Sequence, residues 1–134
     1  MALGTLYGHA IPIVLAPWWD HTYVTSSGGH IWGCFGRLKG GRVICSGSGN
    51  MDMADCLSQV NSSAALIEGR TGRCHQAANR ILFPSGQFVS RANGYRLSTF
   101  QFGTYGRDPV TNQFYSPTSF PWPELRVCRT THTH

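Results

Sequence analysis

"GRCHQAANRILFPSG" (72–86) is the stretch on which the fold turns. Cys74, Ala77, Ala78, Ile81 and Leu82 fall at i, i+3, i+4, i+7 and i+8, which is one apolar stripe of a helix. Thr71 or Gly72 caps its start, and Pro84 with Gly86 ends it. Its two alanines are small enough to let the helix approach a sheet closely. The first member of the stripe is a cysteine in the opening turn. A thiol there meets the positive end of the helix dipole and backbone N–H groups without intrahelical partners, so it ionises more readily. Arg70 and Arg73 add positive charge. The same N–H groups suit the oxyanion of a tetrahedral intermediate. Cys74 is therefore the candidate nucleophile, although its place on the stripe suits plain packing equally well.

On the N-terminal side, "NMDMADCLSQVNSSAALIEG" (50–69) carries Met53, Leu57, Val60 and Ala64 at helical spacing. Asn50 or Asp52 caps it, and the weak formers at 60–63 let it fray or break. Before it, "IPIVLAPWW" (11–19) reads as a buried strand entered through Pro12 and broken at Pro17. "HTYVTSSGGHIWGCF" (21–35) reads as a hairpin turning at Ser26–Gly29, and "GRVICSGSG" (41–49) as a further strand. After the quoted helix, "GQFVSRANGYRLSTFQFGTYG" (86–106) reads as strands about the turn at 92–94. From Asp108 onward a proline-rich segment wraps the domain to about Val127, and 128–134 form a looser tail. Strands, helix, helix, strands make one α+β domain over 1–134: a small antiparallel sheet packed against two helices.

A nucleophilic thiol needs a base within hydrogen-bond reach. Of six histidines, His132 and His134 lie in the tail and His9 precedes the first expected strand. His75 follows Cys74 directly but points about 100° away around the helix. His21 and His30 remain. With a four-residue turn, Thr25 pairs with His30, Tyr23 with Trp32 and His21 with Cys34, so both histidines share one face. His21 is the preferred base. His30, Asp20 or Ser46 would orient its ring.

The residues around His21 ("DHTYV") and Cys74 ("GRCHQAANRIL") set a histidine on an early strand before a cysteine that opens a helix. This order resembles the circularly permuted papain-like hydrolases, which include permuted NlpC-type amidases and relatives of lecithin:retinol acyltransferase. The resemblance spans roughly 20–105 and rests on order and placement. It implies a thiol hydrolase acting on amide bonds of peptides or proteins, such as a peptidase, amidase or deamidase, with Cys74, His21 and His30 as catalytic residues. It also implies kinship with bacterial toxin effectors, which attack peptidoglycan peptide or a target protein and are matched by an immunity protein. The acyltransferase box is Asn-Cys-Glu-His where this chain has Arg-Cys-His-Gln, a departure that counts against lipid acyl transfer.

Two other readings compete. "HIWGCFGR" (30–37) faintly resembles the Gly-Cys-x-Arg box of L,D-transpeptidases, with Cys34 as nucleophile, although Gly36 adds a residue before Arg37. A non-catalytic module would instead use Trp18, Trp19, Trp32 and Trp122 as an aromatic groove for sugar or peptide.

The bulk properties narrow the classes further. A net charge of +5 favours anionic partners, but the arginines are scattered and lysine is nearly absent, which speaks against nucleic acid. "HAIPIVLAPWW" is too short to span a bilayer. It also lacks the pattern of a signal peptide, so the expectation is cytoplasmic synthesis, with export as part of a larger effector. The five cysteines include no C-x-x-C pair, so neither a metal nor a cofactor is expected, and free thiols in a reducing compartment are the simplest case. The glycines at 47–49 are followed by no G-K-[ST] and form no phosphate loop.

Overall fold

The computed structural model describes residues 3–33, 38–59 and 73–102, together with 105, 107, 110, 111, 113 and 128. It is an α+β arrangement of four antiparallel strands and three helices. Strands β1 (Leu3–Ile13), β2 (Ala16–Ser26), β3 (Ile31–Trp32) and β4 (Arg42–Asn50) form one sheet in the order β3-β2-β1-β4. Helices α1 (Met51–Ser58), α2 (Arg73–Leu82) and α3 (Tyr95–Phe102) complete it.

The central strand β1 begins in a stretch the sequence reading left unassigned, and the single strand expected at 11–19 is divided. Ile11–Ile13 end β1, Val14 and Leu15 turn, and Ala16–Trp19 open β2. One face of the β1–β2 pair carries Leu6, Ala10 and Val24 towards the helices. Its core is completed by Ile44, Ala54, Ala78, Ile81, Leu82, Val89 and Ala92. The stripe read from α2 is present: Cys74, Ala77, Ala78, Ile81 and Leu82 are all buried. Asn50 caps α1, its Oδ1 accepting from the Met53 N–H at 3.0 Å.

The expected hairpin forms with a different turn. Ser26 N–H donates to the His30 carbonyl at 3.1 Å, leaving the three-residue loop Ser27–Gly29, in which Gly29 takes φ 89°. Val24 therefore pairs with Trp32 and Thr25 with Ile31. That is a slip of one residue from the expected register, and such a slip moves every side chain of one strand to the other face. Trp32 turns into the core, where its Nε1–H donates to Asp55 Oδ1 at 2.9 Å.

Two further expectations are corrected. The strand read through Tyr95 and Phe100 is helix α3, because Gly94 at φ 85° breaks the extended run and Tyr95 N–H turns back to the Ala92 carbonyl. Cys56 and Cys128 are not free thiols but form a disulfide that ties α1 to the chain's end. Cys128, where the looser tail was expected to begin, is 1% exposed in a cluster with Met53, Leu57, Phe83 and Tyr105. No helix among the described residues is long and apolar enough to cross a membrane.

Candidate active site

Asp20 is the junction on which the candidate site is built. Its carboxylate is fully buried and accepts from the Arg42 guanidinium at 2.6 Å and from the Asn93 N–H at 2.8 Å. Its own N–H donates to the Asn93 carbonyl at 3.0 Å. The α2 opening turn docks on its carbonyl. His75 Nε2 lies 2.6 Å from that oxygen, and the Cys74 thiol donates to it at 3.9 Å. A carbonyl oxygen only accepts, so His75 carries its proton on Nε2. Nδ1 of the same ring stands 3.0 Å from the Ser98 hydroxyl, and the ring stacks between Trp19 and Tyr95. One strand position thus fastens β2 to β4, α2 and the segment that leads into α3.

Cys74 is 5% exposed and packs with Ala77. The arginine side chains expected to activate it, Arg70 and Arg73, lie outside the described residues, as do the expected caps Thr71 and Gly72. Cys34, Arg37 and Trp122 lie outside them too.

His21 follows Asp20 directly, so the strand places its backbone against the carbonyl that holds the thiol. Its ring points to the face opposite the Asp20 carboxylate, with Ile11 across the strand pair and Tyr23 stacked 6.3 Å away. It is 7% exposed, and its Nε2 is buried with no hydrogen-bond partner. Among the described residues four buried side-chain atoms lack a partner, and three of them are Trp19 Nε1, His21 Nε2 and Thr22 Oγ1. Unsatisfied polar atoms cost about 1–3 kcal/mol each, so their concentration on one short piece of β2 marks a place where packing alone is not the optimum.

The structure does not bring His30 to this place. Its Nδ1 lies 2.7 Å from Ser26 Oγ and its ring stacks on Trp32 at 4.8 Å. Ser26 stands six residues along β2 from Asp20, roughly 20 Å at the rise of an extended strand. The register slip also puts His30 and His21 on opposite faces. Ser46 sits on β4 opposite Tyr7 and lines an open cleft of about 480 Å³ with Cys45 and Arg91.

The sequence reading missed His75, whose orientation around the helix counted against it as a base. What it does instead is hold α2 to β2. The signal for it was the run Cys74-His75 followed by Asn79, since a histidine and an asparagine four apart share one helix face. Asn79 is also buried, accepting from the Val89 N–H at 2.9 Å and donating to Tyr95 Oη at 3.1 Å. Among the described residues no group of three His, Cys, Asp or Glu side chains could hold a metal ion.

No protein-family model, no curated protein and no solved structure matches the chain.

Proposed function

We propose that the protein is a cysteine-dependent hydrolase of amide bonds, of the permuted papain-like kind, with Cys74 as nucleophile and His21 as base. The supporting observation is the meeting at Asp20: the thiol rests on a carbonyl whose next residue carries a buried imidazole nitrogen with no partner. In this scheme the His21 ring turns from the face opposite the Asp20 carboxylate towards the thiol, which gives its proton to His21 Nε2 and attacks the amide carbonyl carbon. The oxyanion is held by N–H groups of the first turn of α2, which have no intrahelical acceptor. His21 returns the proton to the leaving amine, and water then cleaves the thioester. His30 takes no part in this scheme.

The substrate would be peptidoglycan peptide or a target protein, as for a toxin effector with an immunity partner. The Cys56–Cys128 disulfide supports a working place outside a reducing cytosol. In the experiment that tests the reading, the wild type, Cys74→Ala and His21→Ala are assayed on peptidoglycan fragments and on cells expressing each form. Both variants should lose at least about a hundredfold in rate. Full activity of Cys74→Ala ends the proposal.

A second reading is favoured by the 5% exposure of Cys74 and by its hydrogen bond to a carbonyl, which stabilises the thiol rather than the thiolate. In it the chain is a binding module and Cys74 is packing. Iodoacetamide separates the two, since a nucleophile labels at neutral pH in the folded protein and a packed thiol does not.

A further inference from the structure

The apolar run at 11–19 has no part in the site, and folding leaves its centre in water. At the β1–β2 turn Val14 is 78% exposed, Leu15 91% and Trp18 72%. Between Leu3 and Trp19 there is no Asp, Glu, Lys or Arg. An exposed apolar tip of this kind marks a contact with something less polar than water.

Among the described residues the charges are sorted by sign about the tip. Ala10 pairs with Arg42 and Leu3 with Asn50, so β4 starts at the tip end of the sheet and finishes, leading into α1, at the far end. The exposed cations Lys39, Arg91 and Arg96 belong to the tip half. Lys39 lies just before β4, Arg91 lies against Val43 and Cys45, and Arg96 is in the first turn of α3, which starts beside Trp19. The acidic residues Asp52 and Asp55 sit on α1, at the far end. Asp20, the acidic group nearest the tip among the described residues, is buried and matched by Arg42.

We infer that the hairpin tip Ile13–Trp18 inserts into the interface of an anionic lipid bilayer, with Lys39, Arg91 and Arg96 facing the headgroups. Val14 and Leu15 enter the acyl boundary, and Trp18 takes the headgroup level that its amphipathic ring favours. The negative surface potential of such a leaflet attracts a cationic collar within a Debye length. Insertion stays shallow because the turn's backbone groups must remain hydrated. A second copy fits less well. Three side chains expose less than the roughly 800 Å² per partner of a stable interface, and two identical cationic collars repel.

The test is co-sedimentation of the full chain with phosphatidylcholine vesicles, with and without one third phosphatidylglycerol, at low and high salt. The wild type should bind the anionic vesicles and be released by salt. Leu15→Asp and Trp18→Ala should each lower the bound fraction about tenfold. Their melting temperatures should stay at the wild-type value, because Val14, Leu15 and Trp18 are exposed and belong to none of the core clusters among the described residues; where Leu15→Asp does not fold, Val14→Ser replaces it. No binding of the wild type, equal binding of the variants, or a concentration-dependent dimer abolished by Leu15→Asp each overturns the inference.

Discussion

His75 and Cys45 show what a single position decides. His75 is 1% exposed and bridges Asp20 and Ser98, so its replacement strands polar atoms that have no route to water. His75→Phe keeps the stacking with Trp19 and Tyr95 but removes the donor to the Asp20 carbonyl, and should cost about 2 kcal/mol in urea denaturation. His75→Ala adds a cavity and should cost about 4 kcal/mol. Equal costs would mean that the hydrogen bonds, not the packing of the ring, hold α2 in place. Cys45 differs from Cys74 in its surroundings. Burial pushes its thiol above the usual range, while the Gly8 backbone hydrogen bond and the Arg91 charge pull weakly the other way. As pH rises the unfolded thiol ionises first and the folded one keeps its proton. Stability is therefore whole below the unfolded pKa and falls between the unfolded and folded values. Cys45→Ala should flatten this alkaline decline in a melting series, and an unchanged slope would assign the decline to other groups.

At the level of elements, Gly94 and Gly29 both take positive φ but for different consequences. A methyl at Gly29 meets nothing within 4 Å, so Gly29→Ala should cost only the backbone strain, about 1 kcal/mol. A methyl at Gly94 would lie 2.4 Å from the Trp19 ring, so Gly94→Ala should cost about 3 kcal/mol and loosen α3 from β2. Thermal melts of the two variants check the order, and similar losses would show that Trp19 yields easily. The same glycine explains what the sequence hid. Helix α2 was legible because five apolar residues repeat at one period and proline with glycine closes it. The segment after it was misread because Tyr95, Phe100 and Phe102 are strand formers, whereas the turn at Gly94, seated against Trp19, starts a helix there. The hairpin was legible as a hairpin, but its register depended on whether Ser26 was a turn residue or the last strand residue. That one position decided which face His30 shares, and so removed it from the candidate site.

Across the whole molecule, the Cys56–Cys128 bond is a covalent constraint between distant parts of the chain. It spans 72 residues and seats Cys128 against α1 and Tyr105, in a cluster apart from the main core. No local pattern in the sequence marks this pair, since the spacing of five cysteines leaves their pairing open. Closing a loop of that size in the unfolded chain is worth about 4 kcal/mol by the chain-entropy account. Cys128→Ser, or reduction of the wild type, should lower stability by about that amount. The loss should fall first on the cluster of Met53, Leu57, Phe83 and Tyr105 and not on the sheet. Hydrogen exchange followed with and without reductant separates the two, because amides of α1 should exchange faster on reduction while those of β1 and β2 change only with global stability. If α1 and the central strands lose protection together at low denaturant, the two clusters form one cooperative unit. The bond would then stabilise the site at Asp20 as directly as it holds the chain's end.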